Sequence, residues 1–135
     1  MRLALITATL IIGVCSVGLA GEIVSDRLLD AIAQVESAGD CNAVGDSGNA
    51  VGCMQIWPIM VKDVNRIIGK EKYTLKDRYS RQKSYEMCRI FLNYYCKGMS
   101  DFNKARCWNF GPNGHKKKAT IKYGNKVLRE LRKDK

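Results

Sequence analysis

Gln34 to Pro58 reads Q-V-E-S-A-G-D-C-N-A-V-G-D-S-G-N-A-V-G-C-M-Q-I-W-P. The stretch passes from a helical pattern into a loop rich in Gly, Asp and Asn, then back to order at Gly52 to Ile56. Upstream, Leu28, Ile32 and Val35 recur at helical spacing, which predicts a helix with one apolar face turned inward. Glu36 follows one turn after Ile32, at the edge of that face. A carboxylate there is partly withdrawn from water, which disfavours its charged form and raises its pKa. A glutamic acid so raised can donate a proton near neutral pH. An ordinary helix-end glutamate held in a salt bridge satisfies the same position, so residues further along decide between the two.

Three blocks do so. The first is Glu36-Ser37, then Asn42-Ala-Val44, then Gly52-Cys-Met-Gln-Ile56 with Pro58 after it. The second is Ala105-Arg-Cys-Trp-Asn-Phe-Gly-Pro112, and the third is Tyr123 in the helix expected to follow. Together, over about residues 26 to 131, they resemble the lytic transglycosylases, the soluble-transglycosylase-like branch of the lysozyme superfamily. The second block is similar to that family's A-x-x-Y-N-x-G-P motif. The resemblance implies a mainly α, small lysozyme-like helical domain with an irregular substrate-facing loop after the first helix. It implies Glu36 as the catalytic acid, with no cofactor. Ser37 would fix the loop, Gln55 line the sugar groove, Asn109 hydrogen-bond near the acid, and Tyr123 approach it. Each also has a plain structural reading: Gln55 as a helix-start contact, Asn109 as a turn residue, Tyr123 as core filler.

The chain departs from the pattern at four points. Trp108 stands for the usual tyrosine, losing a hydroxyl while keeping a face on which sugar can stack. Phe110 replaces a small residue, Gly45 a frequent serine, and Trp57 a common methionine. Cleaving a glycosidic bond needs a proton donor and stabilisation of an oxocarbenium-like state, and hydrolysis usually adds a second carboxylate. Asp40 and Asp46 are the candidates, Asp46 lying in the site-facing loop, although Asp46-Ser47-Gly48 also reads as a simple turn. The resemblance implies that one glutamate suffices, acting first as acid and then as base on the muramyl 6-hydroxyl, to leave a 1,6-anhydro end. The alternatives are a hydrolytic, goose-type-like lysozyme using Asp46, and a catalytically inactive cationic glycan-binding or antimicrobial protein.

At the start of the chain, Met1-Arg2 precedes a largely apolar run, Leu3 to Leu19, and Gly18-Leu19-Ala20 forms a small-x-small site. This reads as a secretory signal peptide, residues 1–20, cut after Ala20, and it predicts a secreted or periplasmic protein. The run is shorter than the roughly 20 residues a spanning helix needs, so no stable membrane insertion is expected after cleavage. Residues 21–135 are enough for one domain with its own core. After Ala20 the chain carries 22 Lys and Arg against 13 Asp and Glu, which favours anionic partners such as peptidoglycan or a related glycan. Nucleic acid is not expected, because the aromatics are not interleaved with the basic residues as a stacking platform requires. With one histidine and no C-x-x-C pair, no metal site is expected. The oligomeric state is not constrained.

The remaining pattern predicts helices. The first is capped by Ser25 or Asp26 and ended by Gly39. The second opens on Pro58, with Met60/Val61, Val64 and Ile67/Ile68 inward. After a polar, irregular Lys70 to Tyr79, Ser80 caps a third, whose inward face is Cys88, Phe91, Leu92 and Tyr95. Asp101 caps a short fourth helix through Trp108, broken by Gly111-Pro112-Asn113-Gly114. The last runs from about Thr120 to Arg132, with Ile121, Val127/Leu128 and Leu131 inward. Lys116-Lys117-Lys118 is a basic cluster just before it. Of Cys41, Cys53, Cys88, Cys96 and Cys107, the first two flank the loop after Glu36 and are expected to bridge it. An antiparallel hairpin about Lys97 to Ser100 would set Cys88 opposite Cys107 and leave Cys96 unpaired; in a reducing compartment all five would be free. A nucleophilic cysteine would need a base, and His115, in a polar loop, is the sole histidine available.

Overall fold

Helix-forming faces account for most of residues 23–133, which the computed structural model describes. The expected signal peptide lies outside them. The first helix, α1 (Asp26–Ser37), starts where the Ser25 hydroxyl accepts the Leu28 N–H, a bond that satisfies one of the orphan donors of a helix N-terminus. It ends at Ala38 rather than at Gly39. Ala38 turns left-handed, and the N–H groups of Ala38 and Gly39 close on the Gln34 and Ala33 carbonyls. Leu28, Leu29 and Ile32 are wholly enclosed, while Val35 only borders the core.

Four more helices complete the domain, and α1 packs chiefly on the last of them. Pro58 opens α2 (Pro58–Ile68), which Gly69 ends in the left-handed region. The segment read as irregular contains a 3-10 turn at Leu75–Tyr79, closed by reciprocal bonds between Thr74 and Asp77. Ser80 then caps α3 (Arg81–Tyr95), which buries Met87, Cys88, Phe91 and Leu92. The cap of α4 (Asp101–Phe110) is Ser100, whose hydroxyl accepts the Asn103 N–H. Asp101 stands one residue later, where a carboxylate favours the positive end of the helix dipole. The last helix, α5 (Ile121–Lys133), packs against α1 and α4. Its inner face holds Gly124 and Val127, with Tyr123 and Leu131 beside them. Ile121, expected inward, is 42% exposed.

The loop after α1 is more ordered than its composition predicts. Val44–Gly45 (β1) pairs antiparallel with Ala50–Val51 (β2), and Val51 pairs again with Ile56. The chain thus doubles back twice within thirteen residues, 44 to 56. Cys53, Met54 and Ile56 enter the core. The buried guanidinium of Arg78 holds the outside of this fold: its Nη1 donates to the Asn49 and Ile56 carbonyls, both at 3.1 Å, and its Nε to Leu75. Gly52 lies against the same segment at φ 84°, where a Cβ would sit 1.8 Å from the Arg78 carbonyl oxygen. Only glycine fits that approach.

All five cysteines in the described residues are thiols. The Cys41 and Cys53 side chains stand as neighbours, as do those of Cys96 and Cys107. The expected opposition of Cys88 and Cys107 is not found. Because α4 packs chiefly on α5 instead of running back along α3, Cys107 meets only the end of α3, where Cys96 stands. Cys88 is the solitary one, wholly enclosed. No helix among the described residues is long and apolar enough to cross a membrane.

Candidate active site

The last turn of α1, the doubled loop and the C-terminal end of α4 converge on a cleft of about 540 Å³. Glu36 lies in its wall, with Asp46 and Gln55 from the loop and Trp108 and Asn109 from α4. Tyr123 reaches Glu36 from α5: its hydroxyl donates to Oε1 at 2.6 Å. Burial of the carboxyl disfavours its charged form. The Tyr123 hydrogen bond works the other way, and the negative charge of Asp46 adds to the burial. The result is a pKa of about 7 in place of 4.5. The Tyr123 hydroxyl, enclosed beside Glu36, is itself held well above the ordinary phenol range. With Oε1 accepting from Tyr123, Oε2 remains to carry a proton.

The other residues singled out from the sequence divide by role. Ser37 is a fastener: its hydroxyl lies 2.9 Å from the Cys53 carbonyl and 3.2 Å from that of Ala33, tying helix to loop. Gln55 stands at φ 51°, a left-handed position. Its Nε2 donates to the Ala43 and Gly52 carbonyls. A Cβ on Gly45 would lie 2.6 Å from Gln55 Oε1, so the absence of a serine side chain at 45 is what lets this rotamer form. Asp46 and the following Ser47 are both left-handed, and Asp46 shares the cleft with Glu36. Asn109 lines the cleft near its α4 end.

Trp108 differs from expectation in what it presents. It is 5% exposed, set edge-on to Phe91 with centroids 5.7 Å apart, and its Nε1 donates to the Met54 carbonyl at 3.2 Å. It builds the floor. The exposed rings belong to Trp57 and Phe110, at 41% and 60%, and both line the cleft. Sequence reasoning passed over a third carboxylate there, Asp63 of α2. It is neutralised by Arg66 at 2.8 Å and accepts the Tyr95 hydroxyl at 2.8 Å. Its helical spacing from Met60 was the available signal, but nothing local joined it to Glu36.

His115 Nδ1 lies 3.4 Å from the Cys107 sulfur. Cys107 is wholly enclosed, so this pair cannot meet a substrate. Among the described residues, no group of three or more His, Cys, Asp and Glu side chains converges as a metal would need.

Comparison with known proteins agrees with this architecture. The transglycosylase SLT domain matches residues 19–127. A chain in the crystal structure of Aeromonas hydrophila PliI in complex with Meretrix lusoria lysozyme superposes with a TM-score of 0.68 at 27% identity, covering 82% of this chain and 93% of that one. No curated protein matches the sequence.

Proposed function

The chain belongs to the transglycosylase SLT family, and from that premise we propose that it is a secreted peptidoglycan-cleaving glycosidase in which Glu36 serves as general acid and then as general base. The observation that carries the proposal is the cleft-wall carboxyl raised to about 7 by burial and oriented by Tyr123. Glu36 gives its proton to the oxygen bridging the muramyl C1 and the next sugar's C4. The C1–O bond breaks, and positive charge develops on the muramyl ring. The resulting Glu36 carboxylate removes the proton from the muramyl 6-hydroxyl, whose oxygen bonds C1 and closes a 1,6-anhydro ring. Gln55, Trp108 and Asn109 shape the groove, and Trp57 and Phe110 offer ring faces to the sugars. The signal-peptide pattern and the Cys41–Cys53 contact support export, with that pair oxidised to a bridge over the loop.

Glu36→Gln should retain the fold and lose wall lysis by about 10²–10⁴-fold, the range of a general acid. Wild-type activity should fall as pH rises through about 7, because the first step needs the protonated carboxyl. Retention of activity within a few-fold in the Gln variant would overturn Glu36 as the general acid, and a wild-type protein with no wall lysis would favour the inactive cationic reading. The shared cleft gives a second reading its footing: Asp46 could activate a water, making the enzyme a hydrolytic lysozyme. Mass spectrometry of digested wall decides between them, since anhydro and reducing ends differ by one water. Under the lytic scheme Asp46→Asn costs little. Reducing ends together with a large Asp46→Asn defect would establish hydrolysis.

A further inference from the structure

The positive charge of this chain is concentrated where the cleft is not. Residues 116–133 hold eight Lys and Arg against one Glu, a net +7 of the chain's +10. Elsewhere, many cations have carboxylate partners: Arg66 with Asp63, Lys72 with Glu86, Lys83 with Asp77, Arg89 with Asp26. On α5 the one acid, Glu130, is taken by Lys133. Among the described residues, Lys118, Lys122, Arg129 and Arg132 make no ion pair, and they line an open groove of about 700 Å³ with Ile121 and Leu128.

We propose that the outer face of α5 is a second binding surface, specific for a linear polyphosphate chain and independent of the glycan cleft. The groove follows the helix from residue 118 to residue 132, about 20 Å at the helical rise. That is the shape of an extended chain. Four unpaired cations along one stripe repel one another, and a row of phosphates relieves that repulsion along its whole length. The two arginines can grip phosphate oxygens with paired N–H groups, and the lysines act as point charges. The helix is held before any ligand arrives: Val127 is wholly enclosed, and Arg27 Nη2 donates to the Leu131 carbonyl at 2.8 Å. Little ordering is therefore needed on binding. A lipid bilayer fits less well. An interfacial helix sinks a whole apolar face among acyl chains, whereas the apolar face of α5 is already in the core and only Ile121 and Leu128 remain outside.

Long-chain inorganic polyphosphate is the probe, its binding measured by calorimetry with the full secreted chain at about 50 mM salt. Lys122→Glu/Arg129→Glu should weaken binding about tenfold or more, and raised salt should weaken wild-type binding steeply. The charge-matched control, Lys70→Glu/Lys97→Glu, alters two exposed lysines elsewhere and should change binding by less than about threefold. Lys122→Gln/Arg129→Gln, milder in charge, should lie between wild type and the Glu pair. Glu36→Gln should bind as wild type does, which separates this proposal from that for the cleft. Equal weakening by the two Glu pairs would overturn the proposal in favour of net charge alone. So would binding of phosphatidylglycerol vesicles as tight as that of polyphosphate at equal phosphate, which would make the face a lipid surface.

Discussion

Glu36 carries a proton to a higher pH in the fold than in the unfolded chain, because burial raises it from 4.5 to about 7. Its contribution to stability is therefore fully present below about pH 4.5 and is lost as pH rises through about 7. Above that, the fold encloses a charge that the unfolded chain would solvate. Glu36→Gln removes the charge. The variant should be more stable than wild type at about pH 9, by about 1–3 kcal/mol, and equal to it near pH 4. Urea titrations at the two pH values check this; an equal midpoint at both would mean that the carboxyl is not desolvated. Tyr123 acts in the opposite sense, since its hydrogen bond favours the carboxylate. Tyr123→Phe should move the alkaline limb of the activity profile to higher pH, and a downward move would contradict the geometry. At this scale the sequence is readable where residues sit in continuous blocks, as Glu36, Gln55 and Asn109 do. It is not readable for Arg78, whose partners Asn49 and Ile56 lie 29 and 22 residues away. A buried guanidinium set by such distant carbonyls leaves no mark in its own neighbourhood.

Helices announce themselves by period and cap, and the five here are each legible within a few residues of their ends. The hairpin after α1 is not, because strands of two residues are too short to alternate. What orders that loop is three-dimensional: Arg78 outside, Cys53 and Met54 inside, and Gly52 pressed on the Arg78 backbone. Gly52→Ala should accordingly destabilise the protein by about 2–4 kcal/mol, combining a strained left-handed backbone with a clash that no rotamer relieves. Thermal denaturation gives the value, and a change under about 0.5 kcal/mol would mean that the loop can move away from Arg78 at little cost. The misplacement of Ile121 has a related cause. It falls in the first turn of α5, straight after the 3-10 turn Lys118–Thr120, and that tighter winding rotates the helix start relative to a uniform 3.6-residue pattern.

The whole domain closes on one core, and its sulfur atoms report how it closes. In a glutathione redox buffer the contacts predict two bridges, Cys41–Cys53 and Cys96–Cys107. Non-reducing peptide mapping should recover those pairs with Cys88 unmodified; recovery of a Cys88–Cys107 peptide would restore the antiparallel hairpin that spacing alone suggests. One bridge would anchor the loop that bears Gln55, and the other the helix that bears Asn109, so reduction should loosen both walls of the cleft. Cys88 would remain as a single thiol sealed against Leu92 and its neighbours, at 0% exposure. Such a group is a native stopwatch. A small alkylating reagent reaches it only during openings that expose the core, so the labelling rate of one atom in plain buffer reads how often the entire molecule comes apart.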